Sequence, residues 1–404
     1  DAQESRGLGD VYKRQTFNNP YQYFFEQMHM DDAIYADESI YEYPMQQGGG
    51  NDGRPYSFGR PSSGGSKAAY PCKSYGQGRI NPAYFYGVFD PNDMRRDVSI
   101  TMTGSNGKGV EKLIPFVPNS KAEGGGLTLN KWDENRQANP WVAAQRKSGI
   151  NGPYMRMSEV YLGYAEVCAA LGDVVTGKQY LKTVRERSFP QGLANTDAFI
   201  ASFGNDLVRA IIEERGFEYA GEGDRRWTLI RSGYLPEDIK RIKDMTKAMM
   251  DGLATKGYYE FENGNIISAY IWTKLVDAKT IYGHRLTAQC PTDKVNDPVL
   301  YPGWRGQKDN WEEMGLNYGS STPATNLAIK GLFEIVSEEE AASLESQGYT
   351  KVNWGIDLVD NRDEYDKYLF WDYDYVSAPI YLWPFTPNVM AAGGFTNGYG
   401  FKQE

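Results

Sequence analysis

Two glutamates four residues apart could act as an acid–base pair. Glu214 and Glu218 lie in the stretch EERGFEYAGEGDRRWTLIRSG, residues 213–233, and residues four apart are neighbours on one helix face. Glycoside hydrolases use two carboxyl groups that stand roughly 5 to 10 Å apart. One interpretation of the stretch is therefore a glycoside hydrolase built on helices, with these two side chains as general acid and base.

The charges around the two glutamates favour a structural interpretation instead. A general acid needs a raised pKa, which requires an apolar pocket or an unpaired like charge. The same stretch supplies positive partners that lower carboxylate pKa values, namely Arg215, Arg225, Arg226 and Arg231. Gly221 and Gly223 can adopt the positive φ that ends one helix and starts another at a sharp angle. We therefore interpret the stretch as a non-catalytic corner held by arginine–glutamate pairs.

The corner joins two predicted helices. The first runs from about Asp206 to Tyr219, and its apolar positions are Leu207, Val208, Ile211, Ile212 and Tyr219. Trp227 and Ile230 of the second helix are expected to pack back on the aromatic side chains of the first.

Upstream of the corner, apolar periodicity predicts a helical hairpin. The stretch GPYMRMSEVYLGYAEVCAALGD, residues 152–173, is predicted as a helix that begins at Pro153 and stops at Gly172. Its predicted buried stripe consists of Met157, Val160, Tyr161, Tyr164, Val167, Cys168 and Leu171. The following GKQYLKTVRERS predicts a second helix, whose shorter apolar stripe consists of Tyr180, Leu181 and Val184, with the small residues Ala165 and Ala169 at the contact. Two such helices form a hairpin of tetratricopeptide type.

The remaining pattern is less regular. ESIYEYPM alternates as a strand does, whereas PEDIKRIKDMTKAMMDGL and SEEEAASLESQG are typical of helices. The fold class that these elements predict is mainly α, with tetratricopeptide-like helical hairpins, long irregular loops and a few short strands.

The composition argues against most catalytic and metal chemistry. Two histidines, His29 and His284, and three cysteines without CxxC spacing cannot build a usual zinc site. The sequence offers no plausible Ser-His-Asp or Cys-His constellation, G-x-S-x-G motif or phosphate loop. We predict no catalytic residues, no cofactor and no metal ion. The acidic run at 357–374 could suggest calcium, but it lacks Asp-x-Asp-x-Asp-Gly spacing and favours a solvated acidic face.

The net charge, the apolar runs and the cysteines bear on nucleic-acid binding, membrane spans and disulfide bonds, respectively. A net charge of −10 repels phosphate backbones and argues against nucleic acid. No stretch approaches 18 apolar residues, so the sequence predicts no transmembrane helix. Cys168 is predicted to be a small buried hydrophobe. A bridge between Cys72 and Cys290 is allowed by parity alone.

Aromatic residues are unusually frequent. The chain contains 30 Tyr, 17 Phe and 9 Trp beside 44 Gly and 20 Pro, which predicts long ordered loops with exposed rings. Flat rings of this kind cover the apolar face of a sugar while a phenol or indole keeps a polar tip. Residues 46–78 interleave such rings with Gly, Ser and Pro, which favours a structured surface loop over a flexible linker.

Three segments in order resemble the signature of the SusD/RagB family. They are PYMRMSEVYLGYAEVCAALG, YLKTVRERSFP and IIEERGFEYAGEGDRRWTLIRSG. Upstream, INPAYFYGVFDPNDMRRDVSIT (80–101) is similar to the family segment with D-x-R, and downstream, YLWPFTPNVM (381–390) is similar to its C-terminal motif. Thr386, Val389 and Thr228 depart from the family's usual Pro, Glu and Asp. These departures suggest a divergent branch whose ligand class cannot be inherited from a familiar member.

The resemblance implies a division of the chain. Residues 1–15 resemble a non-native leader, and 16–404 are expected to form a SusD/RagB-like domain without its N-terminal part. Within this domain, 79–233 is the signature region, 234–378 the variable region and 379–404 the C-terminal segment.

The resemblance also implies a function. Family members are outer-membrane lipoproteins of Bacteroidetes, anchored by a lipidated cysteine that this chain does not contain. They capture oligosaccharides, or in some members peptides, for a SusC-like TonB-dependent transporter. The helical hairpins would face the transporter, a separate loop surface would bind the ligand, and no bond would be broken.

Candidate ligand-binding residues follow from this expectation. Ligand groups in the family tend to lie upstream of the hairpin, and a second patch is indicated where Gly and Pro hold tryptophans on a loop. The predicted residues are Tyr56, Tyr70, Tyr75, Arg79, Trp304 and Trp311. Trp132 and Trp141 are more consistent with packing. Besides the hydrolase, which would use the two glutamates or the 357–374 acids, a protein-binding helical adaptor remains an alternative.

Overall fold

The structure is a computed structural model. It describes residues 21, 24–25, 38–45, 57–63, 73–74, 78–105, 111–114, 116, 126–132, 149–277, 325–363, 381, 385–394 and 396.

Helices dominate the longest described segment. The helices are α1 (Pro82–Gly87), α2 (Arg95–Ser99), α3 (Met157–Ala170), α4 (Val174–Arg187), α5 (Thr196–Ala201), α6 (Leu207–Glu218), α7 (Asp224–Ser232), α8 (Leu235–Lys256), α9 (Glu338–Ser346), α10 (Gly355–Asp360) and α11 (Pro387–Gly393). Together with short strands, they confirm the predicted mainly α fold class.

The strands are short and form small separate sheets. They are β1 (Ser39–Tyr43), β2 (Ser62–Ser63), β3 (Lys73–Ser74), β4 (Arg79–Ile80), β5 (Ile100–Thr101), β6 (Thr103–Ser105), β7 (Glu111–Leu113), β8 (Leu127–Leu129), β9 (Gly152–Arg156), β10 (Tyr258–Glu260), β11 (Ile266–Ser268), β12 (Tyr270–Asp277), β13 (Thr325–Lys330) and β14 (Thr350–Asn353). The sheet orders are β1-β9, β10-β11, β13-β12-β14, β3-β2-β6-β7 and β4-β8-β5. Most neighbouring strands are antiparallel, and β2 runs parallel to β6.

Helices α3 and α4 form the predicted hairpin. Gly172 adopts φ +88° after α3, and the Asp173 side chain accepts a hydrogen bond from the Thr176 backbone N–H at 3.1 Å to begin α4. The two helices approach closely at Gly177, where an added Cβ would lie 3.0 Å from the Ala165 carbonyl oxygen. Ala165 is fully buried at this contact. The small residues therefore allow the close packing that the sequence indicates.

The predicted start of α3 is wrong. Residues Gly152–Arg156 form β9, which pairs antiparallel with β1, and α3 begins only at Met157. Pro153 fits this short two-stranded ribbon because proline tolerates edge positions as well as first helical turns. The pairing partner lies more than a hundred residues upstream, so local periodicity did not reveal it.

The predicted buried stripe of α3 is also largely wrong. Met157 and Cys168 are buried and Tyr161 is half-buried, but Val160, Tyr164, Val167 and Leu171 are exposed. The buried positions are Met157, Ser158, Leu162, Ala165 and Cys168. The helix thus presents smaller residues inward, because α4 and α6 both pack on that face, and leaves an apolar stripe on its outer surface.

Helix α6 completes a small core with the hairpin. It begins after Asp206, whose side chain accepts a hydrogen bond from the Arg209 backbone N–H at 3.0 Å. Leu207, Ala210 and Ile211 pack against Leu162, Leu181 and Val184 from α3 and α4. This helix confirms the prediction from about Asp206 to Tyr219.

A second, larger core lies between α1, α8 and the two three-stranded sheets, β13-β12-β14 and β4-β8-β5. Phe85 and Tyr86 of α1 contact a cluster that includes Met249 and Met250 of α8 and Ile271 of β12. Even α8, with 22 residues, carries charged side chains along its length. None of the helices in the described ranges meets the length and hydropathy that a membrane span requires.

The corner between α6 and α7 bends at the two predicted glycines. Gly221 and Gly223 adopt φ +82° and +95°, a region that favours glycine. Ile230 is half-buried against Ile212 and Leu229, but Trp227 is exposed, so the prediction that Trp227 packs back on α6 is wrong. The indole lies on the outer side of α7 because α7 buries the opposite face, including Thr228 and Leu229.

Several other local predictions are confirmed. ESIYEYPM contains β1, and α8 and α9 cover the two predicted later helices. The capping box of α9 joins Ser337 and Glu340. Cys168 is buried with a free thiol, and Trp132 is buried.

The close approach at Gly177 predicts a stability difference between two glycines. We expect Gly177→Leu to destabilise the fold by about 1–3 kcal/mol, because the side chain would overpack the contact with Ala165, Ala169 and Leu207. Gly163→Ala on α3 has open space around its Cβ and should stabilise by about 0.5–1 kcal/mol. Urea unfolding of both variants measures the difference, and equal effects would contradict tight packing of α3 on α4.

Candidate functional site

Glu214 lies in the protein interior and is ion-paired on both oxygens. Its Oε1 accepts from Arg95 Nη1 at 2.7 Å, and its Oε2 accepts from Arg185 Nη1 at 2.9 Å. The side chain has no exposed surface. Arg95 belongs to α2 and Arg185 to α4, so two distant segments supply its counter-charges.

Glu218, one turn further along α6, is still more strongly paired. It contacts Arg156 Nη1 at 2.7 Å, Arg95 Nη1 at 3.1 Å and Arg187 Nη2. Burial by itself raises the pKa of Glu218, but Arg187, Arg156 and Arg95 outweigh it and hold that pKa well below its usual value. The carboxylate therefore stays ionised.

These pairs belong to one buried charge network. Its carboxylates are Glu38, Asp93, Glu214, Glu218 and Glu222, and its cations are Arg95, Lys131, Arg156, Arg185 and Arg187. Five negative groups thus meet five positive groups. Each buried charge has opposite charges within hydrogen-bond distance, which is the condition under which buried ions are tolerated.

Aromatic rings shield one side of the network from water. Tyr21 and Phe25 are fully buried, and Lys131 Nζ lies 5.2 Å and 4.8 Å from their ring centroids. The Tyr21 hydroxyl donates to the Glu218 backbone carbonyl at 2.6 Å. Burial lowers the pKa of Lys131 to about 8, although Glu222 at 2.6 Å opposes the shift.

The predicted partners of the two glutamates are wrong. Arg215 pairs with Asp224, and Arg231 pairs with Glu166. Arg225 pairs with Glu213 and Asp238. Arg226 Nη2 donates to the Tyr381 backbone carbonyl at 3.5 Å. The counter-charges of Glu214 and Glu218 come instead from β9, α2 and α4, because the buried face of α6 points toward those segments.

The network does not have the properties of an acid–base pair. Glu214 and Glu218 are fully buried, face no cleft and are held by arginines. A general acid needs the opposite environment, in which the protonated form is favoured. The structural interpretation of the corner is therefore confirmed for these two carboxylates, although its arginine partners differ.

A cavity of about 810 Å³ opens on the other side of the corner. Its walls come from β4, β8, β9 and the α6–α7 corner, and they combine aromatic with charged side chains. The lining residues with rings or charges are Phe58, Trp132, Tyr154, Tyr219, Arg79, Glu222, Arg225 and Arg226, of which Trp132 and Tyr219 are buried. Such a mixture of apolar walls and a few polar groups is typical of ligand sites.

Arg79 is the predicted site residue that the structure places in this cavity. It lies on β4, is exposed, and lines the cavity together with Phe58 and Tyr154. Tyr56, Tyr70, Tyr75, Trp304 and Trp311 lie outside the described residues. In the sequence, Tyr56 shortly precedes Phe58, and Tyr75 shortly precedes Gly78, which also lines the cavity.

A ribbon of exposed tyrosines adjoins the cavity. Tyr41 and Tyr43 of β1 and Tyr154 of β9 are 57%, 56% and 74% exposed. The rings of Tyr41 and Tyr154 meet edge to face with centroids 5.6 Å apart. Sequence reasoning found β1 but missed this ribbon, because it assigned Tyr154 to a helix. The alternating tyrosines of β1 were the available signal.

The acidic run considered for calcium, 357–374, lies only partly within the described residues. Asp357, Asp360 and Asp363 fall in the described residues, whereas 364–374 lie outside them. In the described parts of the chain, no three His, Cys, Asp or Glu side chains are arranged to hold a metal ion.

The chain belongs to the SusD family, whose sequence profile matches residues 6–302. A SusD-like protein, P25, of Formosa agariphila is 28% identical over 160 residues, which are 39% of this chain and 26% of that protein. Among solved structures, a SusD homolog from Bacteroides thetaiotaomicron is 19% identical with a TM-score of 0.39, covering 57% of this chain and 47% of the other.

A further solved structure contains a ligand. It is surface glycan-binding protein A from Bacteroides thetaiotaomicron in complex with laminarihexaose, 17% identical with a TM-score of 0.37, covering 58% of this chain and 54% of the other. The chain thus spans about a quarter of the curated relative and about half of these structures.

The charge network predicts an acid-sensitive contribution from Glu218. Its folded-state pKa lies below the unfolded value, so its stabilisation is fully present above the unfolded pKa and is lost as pH falls through the folded pKa. We expect Glu218→Gln to cost about 3–5 kcal/mol at pH 7, because the variant leaves buried arginines without their counter-charge. The free-energy difference between wild type and variant should shrink as pH falls below about 4.5.

A matched control is Glu186→Gln. Glu186 pairs with Lys182 on the exposed face of α4, so its loss should cost about 0.3–0.5 kcal/mol. Urea unfolding from pH 7 to 3 measures both variants. A Glu218→Gln difference that is small, or that grows toward low pH, would contradict the ionised state of Glu218.

Proposed function

We propose that this protein is a cell-surface glycan-binding member of the SusD family. It captures oligosaccharides without cleaving them and passes them to a SusC-like TonB-dependent transporter at the outer membrane, where a lipid anchor holds it. The observation that carries the proposal is the cavity of about 810 Å³, which joins aromatic walls to an exposed tyrosine ribbon.

The tyrosine ribbon supports sugar binding in particular. The Tyr154 ring lines the cavity, and Tyr41 contacts it from the neighbouring strand. Exposed rings cost free energy in water, and covering them with the apolar face of a pyranose recovers part of that cost. The cavity volume lies in the range of small-molecule sites and can hold several sugar units.

Related proteins support the same ligand class. Surface glycan-binding protein A from Bacteroides thetaiotaomicron was solved with laminarihexaose, and another solved relative is a laminarin binding SusD-like protein. This chain matches only part of those proteins, and laminarihexaose is the first ligand to test.

The absence of catalysis is part of the proposal. The two carboxylates with the spacing of an acid–base pair, Glu214 and Glu218, are ion-paired and buried. Among the described residues that line the cavity, Glu222 is the one with a carboxylate, and it is paired with Lys131 and Arg156. A lone paired carboxylate does not supply both roles of a glycosidase.

The transporter is proposed to contact the outer face of the hairpin. Val160, Tyr164, Val167 and Leu171 line one exposed side of α3, and Leu171 is 83% exposed. Val174 and Val175 extend this surface to the start of α4. Contiguous exposed apolar side chains of this kind mark protein interaction sites. The hairpin side and the cavity side can then serve partner and ligand separately.

A binding and cleavage assay tests the proposal directly. We expect isothermal titration calorimetry to detect binding from a panel of oligosaccharides that includes laminarihexaose, with no new reducing ends after prolonged incubation. Released reducing ends would support the hydrolase alternative. Binding of peptides or proteins with no affinity for any oligosaccharide would support the adaptor alternative and remove the proposal.

Ring deletions test which aromatic side chains bind the sugar. We expect Tyr154→Ala, and separately the double change Tyr70→Ala with Tyr75→Ala, to weaken oligosaccharide binding about three- to tenfold, which corresponds to roughly 0.7–1.4 kcal/mol. The melting temperature should not change, because Tyr154 is exposed. Tyr164→Ala, also exposed but on α3, is the control and should bind normally. Unchanged affinity in a variant removes its residues from the site.

A further inference from the structure

The cavity wall carries more positive than negative side chains, although the chain as a whole is acidic. Among its lining residues, Arg79, Arg225 and Arg226 are cationic and Glu222 is anionic. The chain has a net charge of −10, so this local excess runs against the average surface. Guanidinium groups at a ligand site match anionic oxygens through paired N–H donors.

The one carboxylate among the lining residues, Glu222, is engaged by cations of the interior. Glu222 Oε1 accepts from Lys131 Nζ at 2.6 Å and from Arg156 Nη2 at 2.8 Å, and Oε2 accepts from Arg156 Nε at 3.1 Å. Both cations belong to the buried network behind the wall. The negative charge of Glu222 is thus already neutralised from the interior.

The Arg225 side chain is held by contacts with the protein interior. Its Nη2 contacts Glu213 and Asp238 at 2.9 Å each, and its Nη1 donates to the Ile212 carbonyl at 3.1 Å. Its Nε–H is buried and has no hydrogen-bond partner among the described residues. Arg225 therefore forms a fixed part of the cavity wall, and Glu213 and Asp238 balance much of its charge.

Arg79 and Arg226 reach the same cavity from different elements. Arg79 stands on β4, and Arg226 stands in the first turn of α7. The N-cap of α7 is Gly223, which also lines the cavity and offers no side chain to the first amides of the helix. The amino end of a helix is electropositive, but Asp224 in the first turn of α7 opposes this charge and pairs with Arg215, so the positive charge at this wall comes from the guanidinium groups.

We propose that this cavity selects oligosaccharides that carry anionic groups, either carboxylates or sulfate esters, over neutral ones. The inference rests on the proposed glycan-binding function and names the ligand class of that same site. Arg79 and Arg226 bind the anionic group, and the rings of Phe58 and Tyr154 cover the adjoining sugar faces. Guanidinium groups suit this role because their planar fork matches the oxygens of carboxylate or sulfate.

The experiment compares ligands of equal length. Calorimetry measures the affinity of the protein for three ligands, each at 50 and 300 mM NaCl. They are laminarihexaose, hexagalacturonate and a hexasaccharide whose only charged groups are sulfate esters. We expect at least one anionic ligand to bind ten times more tightly than laminarihexaose at 50 mM, with an affinity that falls at 300 mM. The uronate and sulfate arms distinguish the two sources of negative charge.

Arginine variants connect this preference to the cavity. Arg79→Gln and Arg226→Gln are each expected to weaken the preferred anionic ligand about tenfold while changing laminarihexaose affinity less than threefold. Arg362→Gln removes the same charge from a surface pair with Asp251 that does not line the cavity, and should leave both affinities unchanged. Circular dichroism melting verifies that each variant is folded.

The outcomes separate this inference from the proposed function. Equal or tighter binding of laminarihexaose than of both anionic ligands overturns the charge selectivity and leaves glycan binding in place. Equal losses in Arg362→Gln and Arg79→Gln also overturn it, since the effect is then one of net charge. If none of the three oligosaccharides binds, the selectivity and the glycan-binding function fail together.

Discussion

The burial of Glu218 is the constraint on which the arrangement around it depends. A carboxylate without water costs several kcal/mol unless it is paired and hydrogen-bonded, and here three arginines provide the compensation. Arg95 comes from α2, Arg156 from β9 and Arg187 from α4, so the ionised state requires all three segments to be in place together. Removing any one of these arginines leaves an unbalanced buried charge. The network therefore favours one packing of the α3–α4 hairpin, the β1–β9 pair and the α6–α7 corner.

One strand links this interior network to the candidate ligand site. In β9, Arg156 reaches into the network, whereas Tyr154 is exposed and lines the cavity. Glu222 has a similar double position, because it lines the cavity while Lys131 and Arg156 hold its carboxylate from behind. The wall of the cavity is therefore the outer surface of a charge-balanced scaffold. Glu222 and Arg225 are held at this wall by ion pairs with the interior, so a ligand would lose less entropy in ordering these two side chains.

A departure from the family signature fits the same electrostatic logic. Thr228, which the sequence analysis interprets as a departure from the family signature, lies beside two charged side chains of the corner. Its hydroxyl donates to Asp224 at 2.9 Å and accepts from Arg215 Nε at 3.2 Å. Arg215 Nη2 also contacts Asp224 at 2.6 Å, so the guanidinium retains a carboxylate one turn earlier on α7. Thr228 is thus a neutral hydrogen-bond bridge between Arg215 and Asp224, which pair with each other.

The sequence by itself determined the elements whose signals are local. The end of α3 just before Gly172, the start of α6 after Asp206 and the bend at Gly221 and Gly223 all follow from residues within a few positions of one another. Only the tertiary structure decided which arginines meet Glu214 and Glu218, which side of α3 is covered, and that Tyr154 belongs to a ribbon rather than a helix. It also brought Arg79, the predicted residue within the described chain, to Arg226 across the cavity. Caps and turns are short-range backbone preferences, whereas ion-pair partners, buried faces and strand pairing depend on which distant segments approach, and the pattern of one segment does not encode its neighbours.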